Sequence, residues 1–298
     1  MGGKTYNAMT FSGQVPGPTL RVTQGDVVKM TLSIPADEVT GHGNDMHASQ
    51  MTALAFDSVN PGETSQYCYI AESAGVFKYH CSGVHLIGMD QHVFSGMYGI
   101  AIVDPANGYK KLMVEKTSGS GDLDRQFYDA DALEFQLQFN QLYLNEDGNY
   151  DAGAMFQHHN SATVVNGIQF GYVPNMLHNI LLKGDANKNI FVAQPWNGLE
   201  LENMQSQLLY VENDQHVRLF IENHGNEPLF FHIVGEILDR VTQGNRVQSG
   251  ATETWLLGGS QNMIVDLVFD EPGAYALVNH DYAAIYTGGI GLFVAGDP

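Results

Sequence analysis

The sequence contains the same three short segments twice, at nearly constant spacing. In the 298-residue chain, the first and second copies are separated by 189, 198 and 192 residues. The matched segments begin at Leu20 and Leu209, at Glu72 and Asp270, and at Gly96 and Gly288. Self-similarity at a fixed distance is the signature of a repeated structural unit. We therefore predict two homologous domains in tandem, over residues 1–105 and 125–298, with a connection over 106–124.

Short runs of β-forming residues recur through both predicted domains. Residues 27–32 and 217–221 are rich in Val, Leu, Ile and Phe, and similar runs are separated by Gly, Pro, Asn and Asp. Runs of this kind, bounded by turn residues, are typical of strands, and long helical periodicity is scarce. The sequence predicts an all-β fold of mostly antiparallel sandwiches or barrels. Short helices are expected only near residues 52–56 and 283–287.

The charge balance excludes several classes of partner. Thirteen Lys and Arg against 33 Asp and Glu give a net charge of −20. Such acidity argues against binding nucleic acid or an anionic membrane through a basic face, so a charged partner is expected to be basic or neutral. Since no apolar run approaches the ~18 residues of a membrane span, none is predicted. The chain is expected to be cytoplasmic, or exported with its targeting segment absent.

One group of residues has the composition of a blue-copper site. A trigonal Cys and two His, with Met as a weak axial ligand, bind copper in such sites. His42, Cys81, His92 and Met97 supply this set, in one loop and at the ends of predicted strands. Each of them alone is better explained as a core filler or a surface group, but four together favour a copper site.

A second metal position follows from strand geometry. Neighbouring residues of an extended strand point to opposite faces, so His80 points away from the copper that Cys81 would bind. His47 is predicted to join His80, and His280 of the second copy is the candidate third ligand. Asp45 shares a face with His47, so a carboxylate is expected beside this second metal, where it is a candidate proton donor.

The second copy does not repeat the blue-copper set. Asn279 occupies the position of Cys81, and Gly289 occupies the position of Met97. His232 is retained after two phenylalanines, where it is either a hydrogen-bonded core residue or part of the second metal site.

Together these motifs resemble the two-domain copper-containing nitrite reductases over nearly the whole chain. The matching segments are His42-x-x-Asp45-x-His47, Tyr79-His80-Cys81, His92-Val-Phe-Ser-Gly-Met97, Val165-Asn166-Gly167, Phe231-His232-Ile-Val-Gly and Val278-Asn279-His280. The resemblance implies two tandem Greek-key cupredoxin domains. It also implies a homotrimer, two coppers per chain, and reduction of nitrite to nitric oxide by one electron passed from type 1 to type 2 copper.

The same resemblance implies a role for each site residue. Type 1 copper would be held by His42, Cys81, His92 and Met97, and type 2 copper, between subunits, by His47, His80 and His280. Asp45 and His232 match the two catalytic residues of the family, and Val234 matches the aliphatic residue over its substrate pocket. The electron donor would be a small cupredoxin or a cytochrome, and the location periplasmic or otherwise outside the cytoplasm.

Three alternatives stay open at this point. The ten residues between Cys81 and His92 are more than the family usually has, and His85 and Met89 within them could replace His92 and Met97 as ligands. A laccase-like oxidase would resemble a ring of histidines from His-x-His or His-Cys-His pairs, but the sequence contains no His-x-His. The third alternative is a blue-copper electron carrier with a vestigial second site.

The other cysteine, Cys68, is expected to be buried and apolar.

Overall fold

The computed structural model of the chain describes residues 6–52, 58–117, 119–173 and 208–296. The first strands are β1 (Leu20–Thr23), β2 (Val27–Ser33), β3 (Asp45–Met46), β4 (Thr64–Ile70), β5 (Gly75–His80), β6 (Tyr98–Asp104), β7 (Leu112–Thr117) and β8 (Leu123–Tyr128). The later strands are β9 (Leu133–Leu142), β10 (Ala162–Val165), β11 (Leu209–Val211), β12 (His216–Asn223), β13 (Leu229–Ile233), β14 (Arg240–Gln243), β15 (Arg246–Ser249), β16 (Thr254–Leu257), β17 (Asn262–Val268), β18 (Gly273–Asn279) and β19 (Ile290–Ala295). The helices described are α1 (Met89–Phe94), α2 (Ala152–Phe156) and α3 (Tyr282–Thr287).

These strands form two layered β units and one hairpin. The first unit has a four-stranded sheet in the order β1-β6-β5-β3 and the pair β2-β4. The second has a six-stranded sheet, β10-β9-β12-β17-β14-β15, and a five-stranded sheet, β11-β19-β18-β13-β16, while β7 and β8 form the hairpin. Apart from the parallel pairs β1-β6, β9-β12 and β11-β19, the named strands pair antiparallel. The predicted all-β fold is confirmed.

The three repeated sequence segments occupy matching places in the two units. They form β1, β5 and β6 in the first unit and β11, β18 and β19 in the second. In both units the first of these strands pairs parallel with the third, and the second pairs antiparallel with it. The register also agrees, because Gly75 lies opposite Val103 and Gly273 lies opposite Ala295. The stretch 106–124 contains β7, and the exact domain boundaries stay a prediction.

The short helices agree with the sequence only in part. The predicted helix at residues 283–287 is confirmed as α3, where the Asp281 side chain accepts a hydrogen bond from the Ala283 amide at 3.0 Å. The helix expected at 52–56 lies almost entirely outside the described residues. Helices α1 and α2 were not predicted, because five or six residues are too few to show a helical period.

The cores lie between the layers of each unit. Side chains from the six-stranded and five-stranded sheets form one large buried cluster, and a smaller one joins the two sheets of the first unit. The prediction that Cys68 is buried is wrong. In β4 the alternating side chains of Tyr67 and Tyr69 face inward, so Cys68 between them points to solvent.

A buried ionic network joins three adjacent strands of the six-stranded sheet, β12, β17 and β14. Asp266 is 2% exposed and accepts hydrogen bonds from His216 Nε2 at 2.8 Å, Arg218 Nε at 3.0 Å and Arg240 Nη2 at 2.8 Å. The Arg218 guanidinium also lies 3.8 Å from the ring centre of Tyr109. Burial alone raises the pKa of Asp266, but the His216 hydrogen bond and the two arginines lower it below its usual value. Its stabilising contribution is therefore present at neutral pH and is lost as the pH falls through the lowered pKa.

Replacing Asp266 with Asn is expected to lower the free energy of unfolding by about 3–5 kcal/mol, because buried cations lose their counter-charge. Urea titration followed by circular dichroism measures this change. Asp129→Asn is the matched control, since that carboxylate is 82% exposed and forms its ion pair with the exposed Lys111. The control should unfold like the wild type, and an equal effect of both variants would contradict the role given to the network.

Candidate metal centres

The first cluster consists of His42, Cys81 and His92, all of them buried. The Cys81 Sγ atom lies 3.2 Å from His92 Nδ1 and 3.7 Å from His42 Nδ1, and the two Nδ1 atoms are 3.1 Å apart. Three soft or borderline ligand atoms therefore point to one position. A thiolate with two imidazoles fits copper in a trigonal blue site, so the residues present match the donor set expected from the sequence.

Different backbone elements hold these ligands. Cys81 directly follows β5, and its amide donates to the Met97 carbonyl at 3.0 Å. His42 forms an isolated bridge with Val59, with hydrogen bonds of 3.1 and 2.9 Å. His92 lies on α1, and its carbonyl accepts from the Met97 amide at 3.0 Å. Met97 is 3% exposed and belongs to the same buried cluster as Cys81, so the structure brings all four predicted residues into one region.

The surroundings of the first cluster favour a metal-binding form of the histidines. Burial lowers the pKa of His42 and of His92, so both rings are neutral and have a lone pair available. Burial raises the pKa of the Cys81 thiol, whereas hydrogen bonds from the Gly83 and Gly43 amides lower it. Because binding to a metal removes the thiol proton, the cysteine can still act as a thiolate ligand.

The longer loop over residues 82–91 turns away from the cluster. Val84 and Ile87 form a bridge, and His85 lies between them at an exposed tip with a φ of 49°. Gly83 permits this turn, since a Cβ there would lie 2.4 Å from the Ile87 carbonyl oxygen. His92, and not His85, is therefore the histidine of this loop that groups with Cys81 and His42.

The second cluster consists of Asp45, His47 and His80. The Nε2 atoms of His47 and His80 are 3.1 Å apart, and Asp45 Oδ2 lies 3.7 Å from His80 Nε2 and 4.0 Å from His47 Nε2. Asp45 on β3 is directly opposite His80 on β5, which explains their proximity. Strand geometry alone predicted this grouping.

Hydrogen bonding and burial prepare the histidines of this cluster for metal binding. The His80 Nδ1–H group donates to the Cys81 carbonyl at 2.9 Å, which leaves the Nε2 lone pair directed at the cluster. Burial first, and then the charge of Lys78, lower the pKa of His80 to about 3. The pKa of His47 is also lowered, mainly by burial. Both imidazoles are therefore neutral at physiological pH, as a metal ligand must be.

The remaining predicted residues lie on the second unit. His232 of β13 and His280, directly after β18, have ring centres 5.3 Å apart, and His280 is exposed. The His232 Nδ1–H group donates to the Glu253 carbonyl at 2.6 Å. Val234 is 50% exposed. In the part of the chain that the structure describes, His280 does not join His47 and His80 in a cluster of potential ligands.

Asn279 has a structural role at the position that corresponds to Cys81. Its side chain is 2% exposed, and its Oδ1 atom accepts from the Phe230 amide at 3.0 Å while Nδ2 donates to the Pro228 carbonyl at 3.2 Å. The side chain thereby connects the end of β18 to the start of β13. At this position the second unit therefore has a hydrogen-bonded structural amide where the first unit has a thiol.

Sequence reasoning missed one residue beside the second cluster. Lys78 lies within the otherwise apolar strand β5 and is only 4% exposed. Its signal in the sequence is a lysine two residues before His80, on the same face of the strand.

The fold and the first cluster define an all-β protein of two tandem cupredoxin domains with a buried group of one cysteine and two histidines, the donor types found in blue-copper sites. Comparisons with known proteins narrow this class. Residues 1–108 match the profile of the family described as multicopper oxidases. The crystal structure of a blue copper oxidase from Nitrosomonas europaea, at 18% identity and a TM-score of 0.66 over 99% of this chain and 81% of that one, shares the fold.

Nitrite reductases are more similar in sequence. The copper nitrite reductase from Nitrosomonas europaea is 32% identical, with a TM-score of 0.76 over 99% of this chain and 88% of that one. The copper-containing nitrite reductase of Neisseria gonorrhoeae is 28% identical over 97% of this chain, which spans 63% of that protein's length. The chain belongs to the family of copper-containing nitrite reductases. No helix among the described residues is long and apolar enough to cross a membrane.

Proposed function

We propose that the protein reduces nitrite to nitric oxide by one electron. Each nitrite would take up two protons and one electron and release one water molecule. The observation that carries this proposal is the position of His80 and Cys81, which are neighbours in the chain and place one ligand atom in each cluster. One covalent stretch therefore links the two clusters, an arrangement suited to single-electron chemistry.

The two clusters would hold two copper ions per chain. The residues proposed for type 1 copper are His42, Cys81, His92 and Met97, and those for type 2 copper are His47, His80 and His280. When bound, copper supplies one-electron redox chemistry at the first position and an open Lewis-acidic position for an anion at the second. The donor sets support this assignment, because a thiolate is present in the first cluster, whereas only imidazoles and a carboxylate are present in the second.

We further propose a homotrimer in which His280 completes the second cluster of a neighbouring chain. His280 is exposed on a face that also displays apolar side chains. Phe230 and Leu256 lie opposite each other on β13 and β16 and are 37% and 54% exposed, and Tyr282 on α3 is 70% exposed. A contiguous apolar face of this kind suits burial against another copy, and a head-to-tail contact closes into a ring.

Asp45 and His232 would move the protons. The Asp45 carboxylate is partly exposed and lies beside the Nε2 atoms of both cluster histidines, within reach of a bound anion's oxygen. We assign it the proton that goes to the departing oxygen. His232 has its Nδ1 occupied by Glu253, so its Nε2 faces away and would orient a water and supply the second proton. Val234 would cover the substrate on the same side.

The same proposal includes an electron-donor protein, either a small cupredoxin or a cytochrome, and a location in the periplasm or elsewhere outside the cytoplasm. The charge of −20 supports a donor with a basic or neutral docking face, since like charges would slow the encounter. Salt dependence of the reduction rate with candidate donors tests this part.

Copper analysis with electron paramagnetic resonance tests the function. We expect two coppers per chain, one signal with narrow and one with wide hyperfine splitting, a native mass of three chains, and nitric oxide formation from nitrite with a reduced donor. About four coppers per chain would instead indicate an oxidase. A single narrow signal without turnover would indicate an electron carrier and refute the proposal.

A further inference from the structure

Helix α1, which carries His92, needs support from the residues packed around it. It has six residues, its N-cap residue is Gly88, and no side chain forms a capping hydrogen bond at that end. Isolated helices shorter than ~12 residues are marginal in water, so a helix of this length depends on tertiary contacts. The place of His92 in the first cluster is therefore set by what packs against α1.

The second unit holds α1 at two side chains, Asp90 and Phe94. The Tyr150 hydroxyl donates to Asp90 Oδ2 at 2.6 Å. The Tyr150 ring also stacks on Phe94, with ring centres 6.2 Å apart and an angle of 9° between the planes. Tyr143 meets Phe94 edge-on at 5.1 Å, and both belong to a buried cluster with Met155. This cluster joins the ligand helix of the first unit to the second unit.

Helix geometry places His92 opposite these contacts. Asp90 and Phe94 are four residues apart and share one face of α1, whereas His92 is two residues from each and lies about 200° around the helix axis. Contacts on one face thus hold a side chain that projects from the other face, where His92 Nδ1 lies 3.2 Å from Cys81 Sγ. The Met97 amide donates to the His92 carbonyl at 3.0 Å, so a shift of α1 would displace both residues.

The two tyrosines are themselves fixed in the second unit. Tyr150 forms a β-bridge with Leu144, just after the end of β9. Tyr143 is fully buried, and its hydroxyl donates to Glu227 Oε1 at 2.8 Å, which ties it to the loop between β12 and β13. The hydrogen bond to Asp90 therefore comes from an anchored part of the second unit.

We propose that Tyr150 is a positioning residue that holds α1 through Asp90 and Phe94 and so keeps His92 in place as a ligand of the first metal. The inference rests on the proposed function, because it takes the first cluster as the type 1 copper site. Contacts that orient a ligand without touching the metal affect metal affinity and reduction potential. The second unit thereby supports the blue-copper site of the first unit.

The test compares the first copper in the wild type and in Tyr150→Phe, which keeps the stacked ring and removes only the hydroxyl. We expect copper affinity at the first cluster to fall about tenfold, the lower end of what loss of such an orienting contact costs. Competition with a chelator, followed by the blue absorption, measures the affinity. Imidazole suits Cu(II), whereas the thiolate and thioether suit Cu(I), so the loss should fall on Cu(II). A tenfold loss confined to Cu(II) raises the potential by ~59 mV.

A second measurement needs no copper. The amides of His92 and Ser95 donate to the carbonyls of Gly88 and Gln91, so their hydrogen–deuterium exchange reports opening of α1 in the metal-free protein. Tyr150→Phe should speed this exchange about tenfold, the least that a hydrogen bond to a charged group contributes. Amides of β12 should exchange as in the wild type, because that strand lies within the six-stranded sheet.

Three further variants separate the hydrogen bond from packing and from charge. Tyr143→Phe is the matched control, because it removes a hydroxyl from the same buried cluster but one that bonds to Glu227 and not to α1. It should keep the affinity and the potential of the wild type. Asp90→Ala removes the acceptor and should reproduce Tyr150→Phe. Asp90→Asn removes the charge but keeps an oxygen that can accept, so it should stay within a few-fold of the wild type.

Each outcome has a definite meaning. Unchanged affinity and potential in Tyr150→Phe would overturn the role of Tyr150, and so would equal losses in Tyr150→Phe and Tyr143→Phe. A loss in Asp90→Asn as large as in Asp90→Ala would assign the effect to the carboxylate charge instead. A wild-type protein that binds copper without the blue colour and the narrow-hyperfine signal would contradict the proposed function itself. The two failures are therefore distinguishable in one series of samples.

Discussion

Replacing Cys81 with Ala is expected to abolish the blue colour completely. The Cys81 sulfur is the proposed copper thiolate of the first cluster, lying 3.2 Å and 3.7 Å from the two histidine Nδ1 atoms, and the intense colour of a blue site depends on copper–thiolate bonding. The narrow-hyperfine signal should disappear with the colour. The wide-hyperfine signal should remain, because none of the side chains of the second cluster is changed. Absorption spectroscopy and paramagnetic resonance on copper-loaded protein measure both effects.

Cys68 provides the matched control for this experiment. It is the other cysteine of the chain, and it lies exposed on β4 between the inward-facing Tyr67 and Tyr69. Cys68→Ala should keep the colour and both signals. A blue Cys81→Ala protein would show that the thiolate comes from elsewhere, and loss of colour in both variants would point to a general effect of cysteine removal.

Replacing Asp45 with Asn is expected to slow nitrite turnover by about 10²- to 10⁴-fold, the usual contribution of a positioned proton donor. The amide keeps the shape of the side chain and its place opposite His80, but it cannot supply a proton. Both coppers should remain bound, because Asp45 lies beside the histidine ligands and is not one of the three proposed for the metal. Steady-state nitric oxide formation, with copper analysis of the same sample, checks this result.

A control must remove the same charge without touching the cluster. Asp37 lies exposed in the turn after β2, and Asp37→Asn should turn over nitrite at the wild-type rate. Full activity in Asp45→Asn would rule out the proton-donor role. Loss of the second copper together with activity would assign Asp45 a part in holding the metal instead.

Strand geometry explains why much of the site was predictable. His80 and Cys81 had to face opposite ways as neighbours at the end of a strand, and the structure places them in different clusters. Asp45 and His47 had to share a face, and both lie at the second cluster. These inferences needed only the local alternation of a strand, together with donor types whose chemistry is specific. The repeat likewise predicted that the three repeated segments form strands at equivalent places in the two units, because similar sequences form similar elements.

Features that depend on tertiary contacts were not predictable. His92 lies on a helix of six residues, too short to be recognised from periodicity. The run Tyr67-Cys68-Tyr69 indicates a strand with two alternating faces, but the run alone does not show which face packs against the core. The Lys78 Nζ group donates to the carbonyl of His224, which is 146 residues away in the sequence, so the burial of Lys78 could not be predicted from local composition. The separation of His280 from His47 and His80 depends on the tertiary arrangement of the sheets that carry them.

The hydrogen bonds of Asn279 show how the two repeated units differ at one equivalent position. In the first unit the residue at this position is Cys81, a member of the first cluster. In the second unit it is Asn279, whose side chain forms hydrogen bonds with the backbone of Pro228 and Phe230. The amide thereby holds the backbone next to His280 in place. In the proposed homotrimer, the second unit would need no metal of its own and would supply His280 to the second cluster of a neighbouring chain.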